Sequence, residues 1–463
     1  MSRQATVIEI IVLIVIGIVV VVLNRSGFNF DLRSRALGTP ANIVIATKIK
    51  GAPFPTTFYH AFAQGGEEST DMLAPVASAV KALQPAFIRI DHLYDHYQVV
   101  KKENGQLTFD FSRLDRAVDT IRAVGATPVL SLSYMPAAIA KDGVITNAPN
   151  NWNDWSLVIQ KTIEHFSGKS AKNLTGVYYE VWNEPDLAQF GKWGLSDSKN
   201  YLTLYEKAAA GAQAAQNVNQ FFLGGPATTG LYKNWVTALL KTGSRIDFLS
   251  WHTYQTDPDY FAKDRTNIKD WLMAFPDKQN IKTLITEFGF TGDKDQRYGT
   301  TYAASYTAAV IRKLIDTPPT LAFTFELKDG PGGQNDGWGL LPHESVGTAP
   351  KPRYHLFSFL DDITGNMLAV KGEGTRVSAI ATTRENVIRV LLVNFHPSGV
   401  HSENVPVTFT DLDLGAYTFR QQQLSGTDTT ILVNVTQPTW QTTVFLPSHS
   451  VTLLTLEKRP AGN

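Results

Sequence analysis

Apolar residues change their spacing twice along this chain. Residues 6–23 (TVIEIIVLIVIGIVVVVL) are almost continuously apolar, with Glu9 the single charge. From about 41 to 356, short β-branched and aromatic runs alternate with longer segments whose apolar residues recur at helical spacing. From 357 onward the helical period fades and short β-rich runs follow one another.

The middle region predicts repeated βαβ units and therefore a parallel sheet. Eight strand-like runs stand out: one near 58–62, then 86–91, 127–133, 176–182, 221–226, 246–252, 281–287 and 321–327. Helical stretches separate them. In 112–124, Leu114, Val118, Ile121 and Val124 share a face, Asp110-Phe111-Ser112 marks a start and Gly125 a stop. An open doubly wound sheet alternates in the same way, but eight units favour closure into a (β/α)8 TIM barrel.

The last region predicts a C-terminal antiparallel β-sandwich. Its runs lie at 376–383, 387–395, 405–409, 417–421, 430–435, 442–446 and 451–456, with turn signals such as Gly372-Glu373-Gly374 between them. The expected division is 1–23 as an N-terminal membrane anchor, 24–40 as a linker, 41–356 as the α/β barrel and 357–463 as the sandwich. The strand-like run 42–47 is free to join the sandwich.

Residues 6–23 are close to the lower length limit for a transmembrane helix. They end in Leu23-Asn24-Arg25-Ser26 rather than in a small-residue cleavage site, which favours an uncleaved anchor over a signal peptide. Arg3 precedes the run, whereas Arg25, Arg33 and Arg35 follow it. That bias runs against the positive-inside rule for a barrel outside the cell, so its placement there rests on the expected substrate.

Composition narrows the function classes. Lys+Arg and Asp+Glu are both 42 in 463 residues, so no basic field points to nucleic acid. The chain has no cysteine, which excludes disulfides, thiolate nucleophiles and Cys-based metal sites. Aromatic residues make up 11%, enough for both core packing and stacking on sugar rings.

Two runs carry the candidate chemistry. Tyr179-Glu180-Val181-Trp182-Asn183-Glu184-Pro185 and Ile281-Lys282-Thr283-Leu284-Ile285-Thr286-Glu287-Phe288-Gly289 each read as a strand, a carboxylate and a breaker. Barrel enzymes place their chemistry at the C-terminal ends of strands. Two carboxylates from two strands are what glycosidic bond cleavage needs. Glu184 suits the acid, with Asn183 beside it to bind a sugar hydroxyl and Trp182 on the same side of the strand. Glu287 suits the partner carboxylate.

Other strand ends add to the site. Arg89 sits inside an apolar strand and needs a carboxylate near it. Trp251-His252-Thr253-Tyr254 ends another strand, with His252 and Tyr254 on one side and Tyr254 able to donate to Glu287. Glu180 reads as a hydrogen-bonded group of the barrel interior. Glu326, Asp329 and Asp336 follow the last strand and are candidates for substrate contact.

In order, these motifs resemble glycoside hydrolase family 39, within the clan A retaining (β/α)8 glycosidases. The similarity runs from Phe87-Ile88-Arg89 through Tyr179–Leu187, Leu223-Gly224-Gly225-Pro226-Ala227, Asp247–Tyr254, Ile285-Thr286-Glu287 and Gly337-Trp338-Gly339-Leu340 to Lys351-Pro352-Arg353-Tyr354-His355. The family includes β-xylosidases, α-L-iduronidases and bacterial exopolysaccharide hydrolases. The resemblance implies Glu184 as acid/base and Glu287 as nucleophile. It implies Asn183 at the 2-hydroxyl and Arg89 and Tyr254 holding the nucleophile; read from the strand ends, Trp251, His252, Glu326 and Trp338 are further substrate-binding candidates.

Two positions depart from the family pattern. Its β-xylosidases tend to carry Gly-His after the arginine, whereas here Ile90-Asp91 follows and His92 comes one position later. The last strand of the family usually ends with a Trp platform, whereas here it reads Phe323-Thr324-Phe325-Glu326. That surface is therefore different, and its acidic side chain suits an amino or hydroxyl group.

The resulting expectation is a membrane-anchored retaining glycoside hydrolase on an extracellular poly- or oligosaccharide. The alternatives are an exo-acting β-xylosidase-like enzyme and an inactive carbohydrate-binding barrel. No metal or cofactor is implied. Carboxyl groups near 5.5 Å rather than 9 Å apart would fit the retaining mechanism.

Overall fold

The structure, a computed structural model, describes residues 38–460 except 197, 333–336 and 348. The expected transmembrane helix at 6–23 and the candidate Asp336 lie outside the described residues. Among the described residues, no helix is long and apolar enough to cross a membrane.

Eight parallel strands close into a barrel. In chain order they are Ala61–Gln64, Phe87–Ile90, Thr127–Leu132, Val177–Val181, Phe221–Thr228, Phe248–Tyr254, Lys282–Gly289 and Leu321–Phe325. Each pairs in parallel with its sequence neighbour, and Leu321–Phe325 closes the ring onto Ala61–Gln64. The first strand begins later than expected. The stretch before it mixes Thr56, Thr57 and His60 with aromatic residues, so periodicity marks no start, and Phe58 and Tyr59 pack in the turn ahead of the strand.

Alternation of side chains builds two cores. Ala61, Val129, Tyr178, Phe248, Leu284 and Phe323 fill the barrel interior. Their neighbours on the other face, including Ile88, Leu130, Tyr179, Leu249 and Ile285, pack against the surrounding helices. The helix Ser112–Ala123 shows why: Leu114, Ala117, Val118 and Ile121 are buried, and Asp110 caps its start by accepting from Ser112 N. A hairpin, Val100–Glu103 with Gln106–Phe109, interrupts the βα alternation after the second strand. Asn104 and Gly105 at its tip both take positive φ, as a tight two-residue hairpin turn requires.

The remaining strands form one nine-stranded sheet. It includes Ile43–Pro53, which pairs antiparallel with Asn366–Lys371 and parallel with Glu403–Thr410. Ile45, Phe409 and Val444 from one end of the strand order share an apolar cluster with Val390, Phe419 and Leu454 from the other, so the sheet folds over on itself as a sandwich. Part of its outer face is also buried. Leu391, Val393 and Leu453 join the barrel's outer core. There Tyr302, on the barrel helix Thr301–Leu314, meets Phe395 edge-on, and Arg312 pairs with Glu373 at 2.9 Å.

Candidate active site

The Asn-Glu-Pro turn leaves the fourth strand by breaking its alternation. Trp182 takes φ +74° and Glu184 takes φ +44°. Such values in non-glycine residues are strained and recur where side chains must be aimed. Trp182 therefore swings out of the barrel, contrary to the same-side expectation. It is fully buried between Tyr134 and Trp193, and its indole N–H donates to Phe190 O. Asn183 and Glu184 are turned to the mouth, with Glu184 N donating to Ala227 O across the strand ends.

Glu287 is aimed by a different device. The seventh strand slips register against the sixth between Ile285 and Glu287. This bulge puts one extra residue between Leu284, which faces inward, and Glu287, which also faces inward.

Buried donors then converge on the two carboxylates. Arg89 is fully buried and donates from three nitrogens: Nε to Glu180 Oε2 at 2.7 Å, Nη1 to Glu287 Oε1 at 2.8 Å and Nη2 to Asn183 Oδ1 at 2.7 Å. Tyr254 donates to Glu287 Oε2 at 2.7 Å. Nδ1 of His252 lies 2.9 Å from Glu184 Oε1 and 3.4 Å from Glu287 Oε2. Asn183 in turn donates to Tyr134 at 3.0 Å. One carboxylate oxygen of Glu184 and one of Glu287 lie within 4.8 Å of one another.

The charges are coupled. Burial raises the Glu287 carboxyl pKa against the pull of His252 and Arg89, and Glu184 adds to the rise. His252 is raised as well: burial opposes its imidazolium, but Glu287 and Glu184 outweigh that. Burial and Glu287 hold the Tyr254 hydroxyl pKa well above its ordinary value, so it stays a donor.

A cavity of about 570 Å³ opens over this pair. Asn183, Glu184, Tyr254, Glu287 and Trp338 line it, together with Glu67, Asp91, His92 and Phe325. Phe325 and Trp338 meet edge-on at 5.6 Å on the side of the last strand. The loop after that strand is pinned from below. Lys351 Nζ reaches Asp329 Oδ2 at 2.5 Å and donates to Gly337 O at 2.9 Å, and Arg353 donates to Phe325 O.

Several expected contacts are corrected. Trp251 does not face the cavity: on its strand His252 and Tyr254 point inward, so Trp251 points outward into the helix layer. Glu326 is fully buried behind the wall. Its Oε2 accepts from Gln64 Nε2 at 2.9 Å and from Gly65 N at 3.1 Å, and its carboxyl shares a hydrogen bond with Glu67. Asp329 is consumed by Lys351 and by Gly339 N. Arg89 and His252 stand behind the carboxylates and are absent from the cavity wall.

Glu67 and Tyr134 were not singled out from the sequence. Gly65-Gly66-Glu67-Glu68 directly follows the first barrel strand, and its signal was hidden by that strand's blurred boundary. Burial pushes the Glu67 carboxyl up to about 7.

A closed parallel barrel that holds two facing carboxylates at the ends of its fourth and seventh strands is the framework of a (β/α)8 glycosidase. The chain belongs to the family described as glycosyl hydrolases family 39, which its residues 67–391 match. It is thus a glycosidase acting on O-glycosyl compounds, with a carbohydrate as substrate.

Two curated relatives are similar in sequence. A β-xylosidase of Caldicellulosiruptor saccharolyticus is 26% identical over 351 residues, spanning 68% of this chain and 70% of that protein. A β-xylosidase of Geobacillus stearothermophilus is 26% identical over 305 residues, 57% of this chain and 58% of that protein. Among solved structures, a monomeric β-xylosidase from Caulobacter crescentus CB15 superposes with a TM-score of 0.75 at 18% identity, covering 90% of this chain and 99% of that one. The family 39 enzyme from Xanthomonas axonopodis pv. citri gives 0.73 at 20% identity, covering 91% and 98%. These likenesses extend the match in fold across the barrel and the sheet.

Proposed function

We propose that the protein is a retaining glycosidase that cleaves an oligo- or polysaccharide by double displacement, with Glu287 as nucleophile and Glu184 as acid/base. The observation that carries this reading is that one oxygen of each carboxylate lies within 4.8 Å of the other, with His252 Nδ1 2.9 Å from Glu184 and 3.4 Å from Glu287. Retaining pairs stand about 5–5.5 Å apart, whereas inverting pairs stand about 6.5–9.5 Å apart to admit a water.

The hydrogen bonds divide the roles. Both Glu287 oxygens accept from donors, Arg89 and Tyr254, which suits an ionised nucleophile. Glu184 keeps an oxygen for the cavity, where it serves a leaving group. In the first step a Glu287 oxygen bonds to the anomeric carbon as the glycosidic C–O bond breaks, and Glu184 gives its proton to the departing oxygen. In the second, Glu184 takes a proton from water, the water oxygen bonds to the anomeric carbon and Glu287 is released. Asn183 lines the cavity beside both groups, within reach of the sugar's 2-hydroxyl.

The β-xylosidase activity of the curated relatives makes a β-D-xyloside the first glycone to try. From the apolar run at 6–23 alone, we also propose attachment to the cell membrane with the barrel outside, where a polysaccharide is met. The mechanism is tested by incubation with a 2-deoxy-2-fluoro aryl glycoside, intact mass and peptide mapping, and by NMR of the first-formed product. A label on Glu287 and a product of retained configuration are expected; an inverted product would sink the double displacement.

A further inference from the structure

Glu67 and Asp91 stand across the mouth from the reacting pair. Around the closed barrel, Glu184 follows the fourth strand and Glu287 lies on the seventh, with the fifth and sixth on the short arc between them. Glu67 follows the first strand and Asp91 the second, on the opposite arc, and both line the cavity. A sugar held with its anomeric carbon between Glu184 and Glu287 turns its most distant carbons toward that arc.

Asp91 is 7% exposed and its carboxyl lines the cavity; its Oδ1 is enclosed and has no hydrogen-bond partner among the described residues. The neighbours hold the wall in place. His92 Nδ1 lies 2.7 Å from Asp95 Oδ2, and the His92 ring stacks on His96 at 4.1 Å. Glu67 is backed by Glu326, and Gly330 approaches so closely that a Cβ there would lie 2.4 Å from Glu67 Cβ. No Lys or Arg is among the described residues lining this cavity.

We propose that Asp91 and Glu67 are specificity-determining residues, accepting hydrogen bonds from two adjacent hydroxyl groups on the glycone carbons farthest from the anomeric centre. The proposal rests on the placement of the anomeric carbon between Glu184 and Glu287. Adjacent sugar hydroxyls supply two donors, and a bond to a carboxylate is charge-assisted where that carboxylate is ionised, for Glu67 above about pH 7. A glycone lacking one hydroxyl leaves Asp91 unpaired, and sites built to pair such a group reject the deoxy analogue strongly.

The test uses the aryl β-pyranoside that the wild type cleaves fastest, with its 3-deoxy and 4-deoxy analogues, on wild type, Asp91→Asn and Glu67→Gln. In the wild type, one deoxygenation is expected to lower kcat/KM by about 10- to 100-fold. In Asp91→Asn the parent substrate falls by a similar factor, the matching deoxy substrate falls no further, and their ratio collapses toward one. Glu67→Gln does the same for the neighbouring hydroxyl, and melting curves check both folds. Equal losses on parent and deoxy substrates, or no loss, overturn the proposal. A fluoroglycoside label away from Glu287 defeats the mechanistic reading instead, because the deoxy ratios report where the hydroxyls sit and not which carboxylate attacks.

Discussion

Tyr254 donates its hydroxyl to Glu287 Oε2 at 2.7 Å, so the sixth strand steadies the carboxylate of the seventh. This bond favours the ionised Glu287. Tyr254→Phe is expected to raise the Glu287 pKa and move the acid limb of the pH–kcat/KM profile to higher pH. The rate at the optimum should fall about 10-fold, with little change in melting temperature. An unmoved acid limb would detach Tyr254 from the nucleophile.

The two carboxylates should fail in different ways. Glu184→Gln and Glu287→Gln are each expected to lower kcat by on the order of 10³-fold or more. With an activated aryl leaving group that needs no proton, Glu184→Gln should recover activity when azide is added, and Glu287→Gln should not. A glycosyl azide of inverted configuration from Glu184→Gln would reverse the assignment.

Arg89 holds more than the chemistry. It serves Glu180, Glu287 and Asn183 from a fully buried position. Arg89→Met leaves two buried carboxylates without their cation, and breaking a buried pair in this way costs about 3–5 kcal/mol. Urea denaturation should show that loss together with loss of activity, whereas a change below 1 kcal/mol would mean that Glu180 and Glu287 are otherwise satisfied.

Glu67 gives the stability a pH dependence of definite sign. Burial raises its carboxyl from 4.5 to about 7. Between those values the folded state keeps a proton that the unfolded state releases, so the stability falls as pH rises through that window. Glu67→Gln removes this term. Its stability should run flatter from pH 4.5 to 7 and exceed the wild type at pH 8 by on the order of 2 kcal/mol. A parallel decline in both proteins would refute the raised value.

Membrane attachment is checked by fractionation. The full chain should stay in the membrane pellet after carbonate extraction, and a chain lacking residues 1–37 should appear in the supernatant with its activity intact. Full-length protein in the supernatant would end that proposal.

The barrel was legible because eight short runs each kept a strand's composition between helical segments. The Glu184 turn was legible because Asn-Glu-Pro is short, polar and abrupt. What escaped detection depended on backbone detail. Trp182 and Glu184 share parity on an ideal strand, but positive φ at both sends one outward and the other to the mouth. Glu287 needs a bulge that no residue type announces. Glu326 looked like a substrate contact because it ends the last strand, yet Gln64 and Gly65 come from the first and claim it. Conversely, Asn104-Gly105 was a readable hairpin signal that went unused.

The strand Ile43–Pro53 lies beside Glu403–Thr410, with Ile45 opposite Phe409. During synthesis the whole barrel emerges between those two partners. One edge of Ile43–Pro53 can pair once Asn366–Lys371 has emerged, but the other stays open until Glu403–Thr410 has left the ribosome. Non-local pairing of this kind is slow and prone to aggregation. A fragment cut after the barrel would keep that strand while losing its parallel neighbour, so expression trials should treat the two ends as one folding unit.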